Sequence, residues 1–240
     1  MNISKFTKPA RKLLPLRRCG AVIVAAGSAS RMGGIDKVMA PLRGAPMIVH
    51  TVRAFQPCDV ISEIVIVTRG DLILPITKLT DAFDKVTAVV LGGSSRQESV
   101  ANGMNALSDK CKLAAIQDGA RPLVTWQLID RVVRAAHAHN AAIPVIPVKD
   151  TIKVCNSALG VNTPDRSTLR AVQTPQVFDF DLLRGALKKA AEDGAEVTDD
   201  CSAVERLGMS VKIVEGDERN LKVTTPLDLK LAEILMEETI

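Results

Sequence analysis

The sequence predicts an α/β fold: a mostly parallel sheet with helices on both faces. Three observations carry this expectation. Short apolar runs of the buried-strand kind alternate with longer stretches of helical character. Loops of small or turn-forming residues follow several of the runs, at Gly27, Gly92-Gly93 and Asp118-Gly119, where ligands of parallel sheets bind. With 240 residues and 47% hydrophobic content, the chain can also bury one sizeable core.

The elements follow in order. A first strand covers residues 21–25, and further buried strands are expected at 63–68 (EIVIVT), 86–91 (VTAVVL), 113–117 (LAAIQ) and 141–148 (AAIPVIPV). Pro46 suits the first turn of a helix over 47–55. Ser95 with Glu98 forms a capping box for a helix running to about Leu107. Thr125 caps a helix over 126–139, whose Leu128, Val132, Val133 and Ala136 share one face. After Val148 the alternation breaks. Residues 149–154 and 169–172 read as two strands enclosing the polar turn 155–167, a β-arm projecting over about 149–172. A helix over 179–192 follows, then one over 199–207 stopped by Gly208, a strand over 209–214, and a last helix opening at Thr225-Pro226.

Charge divides the chain. Residues 1–18 hold six basic residues and no acidic one, leaving 25 basic against 27 acidic in the other 222. The expected organisation is a disordered basic N-terminal tail over 1–18 and one folded domain over 19–240. A near-neutral body with no Tyr and one Trp speaks against nucleic-acid binding, which favours a basic face with stacking aromatics. The five cysteines (Cys19, Cys58, Cys111, Cys155, Cys201) are odd in number and lack C-x-x-C spacing, which points to a reducing compartment rather than a disulfide framework or zinc site. No apolar run approaches ~18 residues, so no membrane span is expected and the chain is assigned to the cytoplasm. The three histidines (His50, His137, His139) fall in helical stretches away from strand ends and read as structural or surface residues.

The chemistry concentrates in residues 21–37, AVIVAAGSASRMGGIDK. A strand breaks into small residues whose backbone N–H groups can approach a polyphosphate, and Arg31 and Lys37 follow to neutralise charge on phosphorus. The run is neither a Walker A loop nor G-x-G-x-x-G. That turns the reading from ATPases and dehydrogenases toward nucleotidyl transfer. Other polar groups fall at strand ends or on the arm: Gly93, Ser94 and Ser99 after one strand, Asp118 and Arg121 after the next, Asp150-Thr151 and Asp165-Arg166 on the arm, and Lys222 before the last helix.

These residues resemble the 2-C-methyl-D-erythritol 4-phosphate cytidylyltransferase family over about residues 20–238. The matching pieces are AAGSASRMGGIDK, GGSSRQESV, DGARP, PVKDTIK, PDR, QTPQVF, VTDDCSAVE and VEGDERNLKVTTPLDL. The resemblance implies a Rossmann-like nucleotidyltransferase fold of the nucleotide-diphospho-sugar transferase type, with a β-arm exchanged across a homodimer. It also implies transfer of a cytidylyl group from CTP to 2-C-methyl-D-erythritol 4-phosphate, releasing pyrophosphate, in non-mevalonate isoprenoid biosynthesis. Arg31 and Lys37 would stabilise the transition state at the α-phosphate. Ala25, Ala26, Gly27, Ser28, Gly93, Ser94, Ser99 and Asp118 would hold the nucleotide. Asp118, Arg121, Thr151 and Thr174 would line the acceptor site, where Arg166, reaching in from the partner subunit, and Lys222 orient the acceptor phosphate. Mg²⁺ would be held mainly by the CTP phosphates, with no protein metal site. The chain departs from the family pattern at Ala29, where glycine is frequent, and at Ser94, where aspartate is frequent; the segment between Arg31 and Lys37 is also one residue shorter than in some members. Two other readings remain at this point: a ribitol-5-phosphate cytidylyltransferase, and a non-catalytic nucleotide-binding protein, against which the presence of both Arg31 and Lys37 counts.

Overall fold

A computed structural model of the protein describes residues 16–27, 36–155 and 161–237. Ser28, Ala29, Arg31 and tail residues 1–15 therefore lie outside the described residues. In chain order the elements are β1 (Cys19–Ala25), β2 (Pro41–Leu42), β3 (Ala45–Pro46), α1 (Met47–Phe55), β4 (Ile61–Thr68), α2 (Ile73–Thr80), β5 (Val86–Leu91), α3 (Arg96–Ala106), β6 (Leu113–Asp118) and α4 (Trp126–His139). They continue with β7 (Ala141–Pro147), β8 (Val154–Cys155), β9 (Val161–Asn162), β10 (Arg170–Val172), β11 (Gln176–Asp179), α5 (Phe180–Glu192), α6 (Asp200–Glu205), β12 (Lys212–Glu215) and α7 (Pro226–Glu237).

In the eight-stranded sheet, β1 lies between β4 and β6, all parallel, with β5 beyond β4. Side-chain alternation along β1 feeds two layers. Ala21, Ile23 and Ala25 pack with Val52 and Phe55 of α1, Ile76 of α2 and Leu128 and Val132 of α4. Val22 packs on the other face with Met104 of α3, Leu183 and Leu187 of α5 and Val204 of α6. The sheet is thus covered on both faces, and β6 is buried along its whole length. A strand without a solvent face is mostly apolar; β6 turns polar only at its end, with the buried Gln117 and then Asp118, its one carboxylate, where the sheet opens to the site.

Several expectations need correction. The two strands expected to form the arm do not pair with each other. Val154–Cys155 pairs with Val161–Asn162 in a small exposed hairpin, whereas Arg170–Val172 runs antiparallel to β7, opposite Pro147, Ile146 and Val145. Pairing with an existing sheet satisfies more backbone groups than an isolated ribbon can, so the return strand joins the body and only the β8–β9 tip stands apart. A strand that the sequence reading passed over, β11, runs antiparallel to both β6 and β7. Its four residues merge directly into α5, with Asp179 as the helix cap, leaving no turn signal to mark it. The last strand opens at Lys212 rather than Met209 and pairs parallel to β7. The capping box expected at Ser95 is half formed. Ser95 Oγ accepts from Glu98 N–H at 3.0 Å, but the Glu98 carboxylate instead takes Ser94 N–H and Oγ–H, each at 2.7 Å. A complete box stands at Asp199 and Ser202. Arg17 and Arg18, counted with the tail, are joined to the body: Arg17 pairs with Asp179 at 2.9 Å and donates to the Ala136 and His137 carbonyls that end α4, and the Arg18 carbonyl accepts from Lys112 and Leu113.

Candidate active site

Three parallel strands, β1, β5 and β6, deliver their following loops to one place. A cavity of about 450 Å³ is lined there by Ala25, Ala26 and Gly27 after β1, by Gly93, Ser94 and Ser99 after β5, and by Asp118, Lys37 and Lys222. The fit between the first two loops depends on glycine. A Cβ on Gly92 would stand 2.5 Å from the Ala26 Cβ, and one on Gly93 would stand 2.2 Å from Glu98 Cγ. Ser99, buried in the first turn of α3, braces the same loop by accepting from Gly93 N–H at 3.0 Å and donating to the Ser95 carbonyl at 2.8 Å. Lys37 opens a 3₁₀ turn over Lys37–Met39 capped by Asp36, whose side chain accepts from Val38 N–H and pairs with Arg69 at 2.6 Å.

A second cavity of about 480 Å³ adjoins the first and shares Arg96, Asp118 and Lys222 with it. Arg121, Thr174 and Gln176 line it from one side, and Thr198 and Asp199 from the other. Thr174 Oγ1 accepts from Asp118 N–H at 3.1 Å, and the Thr174–Pro175 peptide is cis. The segment bearing Lys222 is tied down by buried polar groups. Gln173 donates to the Asp217 and Asn220 carbonyls, Asn220 donates to the Thr174 carbonyl, and Arg121 donates to the Asn220 carbonyl at 2.6 Å. Val223 N–H closes the link on the Ala120 carbonyl at 2.8 Å.

Electrostatics centre on Asp118. Lys222 Nζ is 2.8 Å from its Oδ2, Arg121 Nε 3.8 Å from the same oxygen, and Arg96 Nη2 3.9 Å from Oδ1. Burial disfavours the Asp118 charge, yet Lys222, then Arg96 and Arg121, hold its carboxyl below the ordinary aspartate value. Burial lowers the Arg121 pKa, with Asp118 opposing it, and arginine remains protonated. Arg96 is also bonded to Asp200 at 2.7 Å. Burial opposes both charges of this pair: Asp200 outweighs it at Arg96 and raises the guanidinium pKa, whereas at Asp200 burial outweighs Arg96 and raises the carboxyl pKa.

Of the residues selected from sequence, Ala25, Ala26, Gly27, Lys37, Gly93, Ser94, Ser99, Asp118, Arg121, Thr174 and Lys222 all line one cavity or both. Ser94 has its hydroxyl committed to Glu98. Thr151 and Arg166 line neither cavity; both are exposed on the arm, where Arg166 donates to the Lys149 carbonyl at 2.9 Å. Sequence reasoning missed Arg96, Gln173, Asp200 and Asn220. Arg96 carried a usable signal, since a cation in the first turn of a helix opposes the helix dipole and implies a counter-charge from elsewhere. The histidines behave as expected of structural residues where their bonds are seen: His50 Nε2 lies 2.7 Å from the Leu42 carbonyl, and His137 Nδ1 accepts from Arg17 N–H.

Comparison with known proteins identifies the family. The family model for 2-C-methyl-D-erythritol 4-phosphate cytidylyltransferase matches residues 19–238. A curated relative of that name from Symbiobacterium thermophilum is 47% identical over 219 residues, covering 90% of this chain and 92% of the relative. Another from Caldanaerobacter subterraneus is 43% identical, covering 91% and 98%. Among solved structures, the 4-diphosphocytidyl-2C-methyl-D-erythritol synthase of Anaerococcus prevotii superposes with a TM-score of 0.83 at 29% identity, covering 92% of this chain and 96% of that one. The cytidylyltransferase of Thermus thermophilus gives 0.75 at 33% identity, covering 90% and 98%. On the match to residues 19–238 and these two relatives, the chain belongs to the 2-C-methyl-D-erythritol 4-phosphate cytidylyltransferase family.

Proposed function

We propose that the protein transfers a cytidylyl group from CTP to 2-C-methyl-D-erythritol 4-phosphate, releasing pyrophosphate, as a step of non-mevalonate isoprenoid biosynthesis in the cytoplasm. The observation that carries this reading is the pair of adjoining polar cavities that share Asp118, Arg96 and Lys222. Two anionic substrates can lie side by side there, with cations at their junction. The small-residue loops Ala25–Gly27 and Gly93–Ser94 hold the nucleotide, and Asp118, Arg121 and Thr174 hold the acceptor.

The chemistry needs no general base. A phosphate monoester is already anionic near neutral pH, so one of its oxygens attacks the α-phosphorus while the bond to the bridging α–β oxygen breaks in line. The protein then has to align the reactants and neutralise charge. Lys37 and Arg31 serve the α-phosphate, and Lys222 orients the acceptor phosphate, exchanging Asp118 for it. Among the described residues, no group of three or more His, Cys, Asp or Glu side chains could hold a metal ion, and Asp118 is the one carboxylate lining the nucleotide cavity. That donor set fits Mg²⁺ bound mainly through substrate phosphates, with Asp118 the carboxylate that would help to hold it. When bound, the ion supplies further neutralisation of the triphosphate. Arg166, which reaches neither cavity of its own chain, acts in the partner's site of a homodimer joined by the arm.

The test is pyrophosphate release from CTP with methylerythritol phosphate and ribitol 5-phosphate offered separately. Turnover with the first and little with the second is expected. Preferential use of ribitol 5-phosphate, or no turnover with either, would overturn the assignment.

A further inference from the structure

Asp200, the first residue of α6, is 1% exposed and lines neither cavity. Its Oδ2 accepts from Arg96 Nη2 at 2.7 Å, while its Oδ1 is buried without a hydrogen-bond partner. A buried ion pair with one oxygen unsatisfied is a poor source of stability, since well-packed apolar residues of similar volume often do as well or better. The pair is better explained by what it does to Arg96. That guanidinium sits on the wall common to both cavities, and at 3.9 Å from Asp118 it is too far to hydrogen-bond there. Its Nη2 is committed to Asp200, which restrains the guanidinium on that shared wall, and arginine has further N–H donors for a ligand there.

We infer that Asp200 is a positioning residue for the transfer reaction, acting through Arg96, whose guanidinium it aims at the phosphate oxygens where the two substrates meet. Neither residue was selected by the sequence reading, and they lie 104 positions apart. A guanidinium held in this way is preorganised for charge that gathers at the junction as the new phosphate bridge forms. A free one would turn toward Asp118 or the triphosphate. The inference rests on the reading of the two cavities as nucleotide and acceptor sites.

A double-mutant cycle in the full-length chain tests it. Asp200→Asn, Arg96→Met and the double variant are compared with the parent in kcat, in KM for CTP and for methylerythritol phosphate, and in thermal midpoint. Misaimed charge at a reacting centre costs about 10- to 100-fold. Asp200→Asn is therefore expected to lose about that factor in kcat, with KM for CTP changing less than about threefold, and to cost no more than about twofold further in the Arg96→Met background. An equal loss from Asp200→Asn in both backgrounds would make Asp200 merely structural and overturn the inference, as would parental kinetics in Asp200→Asn. Should Asp200→Asn fail to fold, Arg96→Lys decides: it keeps the charge and loses the fork, so it must lose kcat, and parental kinetics would refute the inference. A parent without turnover would remove the functional reading and this inference together, whereas an active parent without coupling removes the inference alone.

Discussion

Three cations converge on the buried carboxylate of Asp118, and Lys222 is the nearest at 2.8 Å. The consequence appears in pH dependence. Because its folded-state pKa is depressed, the ionised Asp118 contributes stability that is present above the ordinary aspartate pKa and lost as pH falls through the lower folded value. The acid limb of kcat/KM set by this group is accordingly expected below the ordinary aspartate range. Lys222→Met removes the largest attractive contribution and should move that limb upward while lowering kcat/KM by about 100-fold or more; a pH–rate profile of the two proteins reads both effects. An unmoved limb would mean that Lys222 does not govern the Asp118 charge. Legibility at this scale depended on sequence distance. Asp118 and Arg121 stand within one short motif, DGARP, and were selected together. Arg96 and Asp200 are meaningful only as a pair, and nothing in either local stretch points to the other. Asn220 was missed because its partners are remote in sequence: its amide donates to the Thr174 carbonyl, and its own carbonyl accepts from Arg121 and Gln173.

At the level of elements, α3 is the part that links core packing to the nucleotide loop. Its Gly103 packs directly onto β1, where an added Cβ would stand 2.3 Å from Val22 Cγ1 and 2.6 Å from Val67 Cγ2. Both neighbours are β-branched and buried, so they have little room to turn. Gly103→Ala is expected to cost about 1–3 kcal/mol by overpacking, read as a lower urea midpoint. Because the N-terminus of α3 carries Arg96 and Ser99, KM for CTP should rise as well. Unchanged stability and KM would show that α3 can lift off the sheet without disturbing the loop. Most of the parallel elements were legible because each is an apolar run or a helix with its own start signal, Pro46 before α1, Ser95 before α3 and Thr125 before α4; α2, which has no side-chain cap, was not expected. Those that escaped or shifted are short and owe their state to partners. β11 is a strand because β6 and β7 flank it, and β10 left the expected arm because β7 offered it a ladder.

For the whole molecule, the arm is the part of the chain that stands away from the site. Val154 and Val161 at its tip are exposed, and Ile152 at its base is too; a two-stranded ribbon of this size gains little by itself. Exchange between identical subunits would cover it through an isologous contact and bring Arg166 to the other chain's acceptor cavity. Arg166→Ala and Lys37→Ala, each inactive alone, are then expected to recover activity when co-expressed, since a mixed dimer holds one intact site. Mixed dimers that form without recovering activity would place Arg166 outside the reaction of either subunit.

One contact far from the chemistry has a practical bearing. Arg17 is fastened to Asp179 and to the end of α4, and the Arg18 carbonyl is bonded at the start of β6. From there the six residues of β6 run to Asp118, a rise of about 20 Å. Arg17 and Arg18 are thus moored on the rim of the sheet opposite Asp118. A dye carried by the exposed Leu16 would therefore sit on that rim, a full strand away from Asp118, and leave the loops around the cavities untouched.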